Sequence, residues 1–93
     1  MSSKASAKVE ISNRLGMHAR PAMLLAELAQ QYRSTVTVRR LDQSNAVDAK
    51  SIMQLMMLAA TTGTKIEVAA DGPDASEAVS AIETLVQAGF QEA

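Results

Sequence analysis

The residues best suited to covalent chemistry in this 93-residue chain gather in one stretch, Leu15-Gly16-Met17-His18-Ala19-Arg20-Pro21-Ala22. His18 is the only histidine, and a neutral imidazole is a usable nucleophile near neutral pH. Arg20 supplies a planar, permanently charged fork that matches phosphate oxygens. Pro21 is tolerated in a first helical turn, where its missing N–H would have been unpaired anyway, so a helix is expected to begin at about Ala19. Such a start leaves backbone N–H groups unpaired at the positive end of the helix dipole. An anion attached to the His18 ring would meet those donors at once. Taken singly, His18 is an ordinary surface or core residue, Arg20 a solvated charge and Pro21 a helix marker. Together they point to a histidine that carries a phosphoryl group.

The elements that must position this stretch follow from periodicity. Residues 1–6 are small and polar and are expected to form a flexible N-terminal tail, leaving residues 7–93 as a single domain. Ala7 to Ser12 alternates, with Ala7, Val9 and Ile11 on one face, as a strand with one wet side does. After Asn13 to Gly16, a helix runs from about Ala19 to Tyr32, with Ala22, Leu25, Leu28, Ala29 and Tyr32 at helical spacing. Thr35–Arg40 and Ala46–Ala49 form a hairpin around the loop Leu41 to Asn45. Ser51 opens a short second helix to about Ala59, with Gln54 placed for a capping box.

That helix carries Ile52, Met53, Leu55, Met56, Met57 and Leu58, apolar nearly all round. A small domain cannot bury every side of it, so part should remain exposed as a partner surface. The alternative, methionine as core filler in an aromatic-poor protein, weighs most at Met57. Lys65 to Ala70 is the fourth strand, with Ile66, Val68 and Ala70 inward. Asp74 is expected to cap the last helix in a box with Glu77, and Ala75, Ala78, Val79, Ile82, Leu85 and Val86 form its buried stripe. Gly89 before Phe90 suits a Schellman ending. The order β-α-β-β-α-β-α, with one polar face on every strand, predicts an α+β open-faced β-sandwich. Four antiparallel strands are covered on one side by three helices.

Composition narrows the function. A net charge of −1 gives no electrostatic footprint for nucleic acid. With no cysteine and one histidine, disulfides, thiolate metal sites and an all-protein zinc site are not expected, and nothing calls for a cofactor. No apolar run approaches the ~20 residues of a membrane helix, and residues 1–6 lack an apolar signal core, so a cytoplasmic monomer without membrane insertion is expected.

The stretches Gly16-Met17-His18-Ala19-Arg20-Pro21-Ala22 and Lys50-Ser51-Ile52-Met53, in this element order, resemble the histidine-containing phosphocarrier proteins (HPr) of the bacterial phosphoenolpyruvate-dependent phosphotransferase system. The resemblance runs from about Ala7 to Phe90. It implies the same open-faced sandwich and a carrier rather than an enzyme. His18 would take a phosphoryl group on Nδ1 from phosphorylated Enzyme I and pass it to an Enzyme II A-type protein, with Arg20 positioning the phosphoryl oxygens. It further implies docking through Met17, Met23, Glu27, Met53 and Met56, and a regulatory serine at Ser51, phosphorylated by a dedicated kinase in some bacteria. Met17 and Gly89-Phe90 look more like the nitrogen-related branch (NPr), and Lys50-Ser51-Ile52-Met53 more like the sugar branch, so sugar uptake and a regulatory relay both stay open.

Two rivals share the element order. An RNA-binding plait needs sheet aromatics and a basic surface, and one Tyr, one Phe and a slight acidic balance oppose it. A regulatory ligand-binding or dimerisation module would use His18 and Arg20 to grip a small anion without covalent transfer.

Overall fold

A computed structural model describes residues 3–91. The elements run β1 (Ser3–Glu10), α1 (Ala19–Gln30), β2 (Thr35–Arg40), β3 (Ala46–Asp48), α2 (Ile52–Met57), β4 (Lys65–Gly72) and α3 (Ala75–Gln87), with a closing 3₁₀ turn at Gly89–Gln91. The four strands make one antiparallel sheet in the order β1-β4-β2-β3. This is the open-faced α+β sandwich that the alternation of the strands predicts.

Register explains the two faces. Ala5 pairs with Ala70, Ala7 with Val68 and Val9 with Ile66, while Val36 and Val38 of β2 stand opposite Ala70 and Val68. Directly opposed residues share a face, so these side chains form the apolar floor on which α1 and α3 pack. Leu25, Ala26 and Ala29 of α1 and Ala78, Ile82 and Val86 of α3 close over it, and Phe90 plugs the end. On the other face Lys8 opposes Glu67 and Glu10 opposes Lys65, and Arg39 reaches Glu67 at 3.2 Å. Opposite charges across strands support register while leaving that face to water.

Several boundaries differ from expectation, each for a physical reason. β1 takes in Ser3 to Ser6, because β4 runs on to Gly72 and offers them ladder partners as far as Ser3–Gly72. The expected tail is therefore strand from Ser3 onward, and residues 1 and 2 lie outside the described residues. α1 stops at Gln30 and α2 at Met57, each two residues early. Beyond α2, Arg40 at the end of β2 donates from its guanidinium to the Ala59 carbonyl at 3.0 Å and is itself paired with Asp42 at 2.9 Å. A cation there satisfies the carbonyls that a helix C-terminus leaves over.

The two capping boxes are not formed. Ser51 Oγ accepts from the Gln54 N–H at 3.2 Å, but the Gln54 side chain accepts from the Asp48 N–H instead of turning back to Ser51. Asp74 flanks α3 without capping it. Its carboxylate accepts from the Ser34 hydroxyl at 2.6 Å and from the N–H groups of Arg33 and Ser34 at 2.9 Å. A better set of donors lies across the fold than along the helix. Those donors, the Ser34 hydroxyl foremost, hold the Asp74 carboxyl down at about 2.

Candidate phosphoryl-carrier site

The turn that leads to His18 is held from inside. Gly16 donates its N–H to the Asn13 carbonyl at 3.2 Å, closing a four-residue turn, and Asn13 Nδ2 donates to the Gly16 carbonyl at 2.7 Å. Gly16 has φ +68, and a Cβ built on it would sit 2.4 Å from the Ala60 carbonyl oxygen and 2.8 Å from Thr61 Cα. Only glycine meets both demands, the left-handed backbone and the close approach of a second chain segment. The Met17 N–H then donates to that same Ala60 carbonyl at 2.8 Å.

From this anchor the chain enters α1. His18 is its N-cap, with extended backbone (φ −83, ψ −171), and its carbonyl accepts from the Ala22 N–H at 3.0 Å. Ala19 and Arg20 supply the N–H groups that have no intrahelical acceptor, since Pro21 has none to give. The His18 residue is half-buried, neither shut into the core nor carried on a free arm. Arg20 is exposed and borders a depression with Asn13, Arg14 and Gly89. A second arginine, Arg14, is thus among the residues lining the same depression. Anionic groups are favoured at such a helix start by both the donors and the dipole.

The expected docking residues divide. Met23, Glu27, Met53 and Met56 are exposed, and α1 and α2 lie side by side, so they share one surface. Met17 does not belong to it. At 5 % exposure it is part of the core, and its backbone is pinned to Ala60. Met57, by contrast, is 76 % exposed and not core filler. Only Leu55 of α2 is fully buried, so a six-residue helix with one anchoring side chain displays the rest. Ile52 and Met57, which the family resemblance did not single out, add to the exposed apolar surface of α2, and Leu15 is exposed in the turn before His18. The contact of α1 with α2 is fixed by Lys50, whose Nζ donates to the Tyr32 carbonyl at 2.8 Å and whose carbonyl accepts from Gln30 Nε2 at 3.0 Å. Ser51, half-buried, caps α2 at the edge of this surface.

Among the described residues no cluster of histidine, cysteine or carboxylate side chains could hold a metal ion, and no helix is long and apolar enough to cross a membrane.

Comparison with known proteins agrees with this geometry. The family model for the PTS HPr component phosphorylation site matches residues 5–88. The phosphocarrier protein NPr of Klebsiella oxytoca is 49% identical over 84 residues, which is 90% of this chain and 92% of that protein. The phosphocarrier protein HPr of Neisseria meningitidis is 45% identical over 84 residues, with the same coverage of both chains. Among solved structures, an HPr from Thermoanaerobacter tengcongensis superposes with a TM-score of 0.88 at 35% identity, covering 96% of this chain and 98% of that one. An HPr dimer from the same organism superposes at 0.75 with 37% identity, covering 90% and 94%. By sequence, fold and the architecture around His18, the chain belongs to the HPr family of phosphotransferase-system phosphocarriers, a family that includes NPr.

Proposed function

We propose that His18 accepts a phosphoryl group on Nδ1 from phosphorylated Enzyme I and passes it to an Enzyme II A-type protein. The observation that carries this is the place of His18, a half-buried N-cap with the N–H groups of Ala19 and Arg20 at the same helix end. As the Nδ1–phosphorus bond forms, the bond from phosphorus to the donor breaks, and the reverse exchange delivers the group onward. Phosphoryl transfer asks a protein mainly for alignment and charge stabilisation. The helix start and the Arg20 guanidinium supply both, and no nucleotide or metal is called on. A site at a helix end rather than in a closed pocket lets two successive partners reach the same atom. Carrier rather than enzyme is the corresponding role.

The exposed patch of Met23, Met53 and Met56 beside Glu27 is the docking surface in this scheme. Methionine adapts to different partner shapes, which suits a surface that must engage donor and acceptor in turn. Ser51 is a candidate phosphoserine. A phosphate there would sit at the start of α2 and place negative charge beside the docking surface, repelling an acidic partner. The protein is expected to act as a cytoplasmic monomer.

Incubation with phosphoenolpyruvate and Enzyme I tests the proposal. Wild type should gain an acid-labile, alkali-stable phosphate with the phosphorus NMR signature of an Nδ1 adduct, and His18→Ala should gain none. Labelling of His18→Ala, or no labelling of wild type by an active donor, would overturn it. Met53→Glu with Met56→Glu should slow transfer while leaving the fold intact, and unchanged rates would remove the docking assignment. Exposure to a serine kinase of this system followed by mass spectrometry tests Ser51.

A further inference from the structure

The turn bearing His18 is not anchored by α1 alone. It is strapped to the loop that leaves α2, residues 58–64. The strap has four backbone bonds on it or beside it. Met17 N–H donates to Ala60 at 2.8 Å, Ile11 N–H to Thr64 at 2.9 Å, and Gly63 N–H to Ile11 at 2.8 Å, while Thr64 N–H closes the loop on Thr61 at 3.0 Å. A side chain also joins the two segments. The Thr62 hydroxyl is placed to donate to the Asn13 carbonyl and, at 2.8 Å, to the Arg14 carbonyl.

The bonding at this point follows from what each group can donate and accept. A hydroxyl has one hydrogen, so Thr62 shares it between two neighbouring carbonyls. The Asn13 carbonyl has two lone pairs, one of which takes the Gly16 N–H that closes the turn. The Thr62 hydroxyl occupies the other. It therefore grips the first half of the turn whose second half, Gly16 and Met17, fixes where His18 enters α1. Thr62 is exposed at the residue level and contributes nothing to the core. Core packing does not require a β-branched hydroxyl there.

We propose that Thr62 is a positioning residue for phosphoryl transfer at His18, acting through the Asn13–Arg14 carbonyls to hold the turn in its reactive orientation. This rests on His18 being the carrier atom's residue, as proposed above. A second consequence follows from chain order. The same loop is the exit of α2, whose methionines form the docking face, so a partner pressing on α2 presses on the strap that orients His18.

The test compares Thr62→Val, which keeps shape and removes the donor, with Thr62→Ser, which keeps the hydroxyl. Steady-state phosphorylation by Enzyme I should show kcat lowered about tenfold in Thr62→Val with KM nearly unchanged, as expected for misorientation at the reacting centre. Thr62→Ser should recover most of the rate. Amide hydrogen exchange at Gly16 and Met17 should quicken in the valine variant and not in the serine variant, with the global unfolding midpoint the same in both. A valine variant with wild-type kcat overturns the proposal, as does a serine variant that is equally slow. A change confined to KM would assign Thr62 to docking and overturn it too. The exchange arm does not involve phosphate, so it stands apart from the His18→Ala control, whose labelling would sink the carrier assignment itself.

Discussion

Gly16→Ala probes the clamp on the His18 turn most directly. Two costs arise. The first is conformational, since an L side chain at φ +68 pays roughly 1–2 kcal/mol. The second is steric, since the new Cβ would lie 2.4 Å from the Ala60 oxygen and 2.8 Å from Thr61 Cα, both backbone atoms. Restoring ordinary contact requires the two segments to part by about 1 Å. That movement would stretch the Met17–Ala60 hydrogen bond beyond its working range, adding roughly 1–2 kcal/mol for the bond and the displaced packing. The expected total is about 2–4 kcal/mol, read as a lower urea midpoint at constant slope. Gly89→Ala supplies the control. Its φ is +66, almost the same, but the nearest atoms to its Cβ are at 3.9 and 4.0 Å, so it bears the conformational cost alone. Gly16→Ala should therefore exceed Gly89→Ala by about 1–2 kcal/mol. It should also slow His18 phosphorylation, which Gly89→Ala should affect less. Equal destabilisation by the two substitutions would refute the clamp.

The remaining predictions concern residues whose surroundings the structure defines. Met17→Ala should cost about 2–4 kcal/mol as a core truncation, whereas Met57→Ala should change stability by less than about 0.5 kcal/mol, both by chemical denaturation. Equal effects would contradict their opposite burial. Ser51→Ala should lose roughly 0.5–1 kcal/mol with the cap on Gln54, and Ser51→Asp, which retains an acceptor, should lose less. The Asp74 carboxyl is lowered to about 2 from an unfolded value near 3.9. Its contribution to stability is therefore fully present above pH ~4 and is lost as pH falls through about 2. Carboxyl NMR titration should find the depressed value in wild type, and Ser34→Ala should raise it, since the Ser34 hydroxyl is the leading cause. An ordinary titration of Asp74 in wild type would contradict the assignment.

What the sequence discloses of this fold is what local pattern dictates. Alternation in Ala7–Ser12, Thr35–Arg40 and Lys65–Ala70 gave the strands and their inward residues, and helical spacing gave the stripes of α1 and α3, because burial of one face is written into the order of residues. The start of α1 was equally legible, since Gly16 and Pro21 each have a local reason for their place. Features that depend on a partner distant in the chain were not. Ser3 to Ser6 become strand only because β4 continues to Gly72 beside them. Asp74 has the chemistry of an N-cap, yet Ser34 and Arg33, forty residues away, outbid the helix for its oxygens.

The site shows the same division. His18 and Arg20 lie in one short run, so their proximity to a helix start could be inferred from residue order. Met17 sits in that run too, and adjacency to His18 made it look like part of the surface. Its burial goes with a contact distant in the chain, the Ala60 carbonyl that holds the Met17 backbone against the loop after α2. The converse holds at Met57. Apolarity argued for the core, but α2 is six residues long and fastened through Leu55, with Leu58 just beyond, so its other faces have nothing to pack on. A surface of exposed thioethers is costly for a protein that works alone. It is understandable in a member of a phosphocarrier family, where a compliant apolar face would serve the docking proposed above.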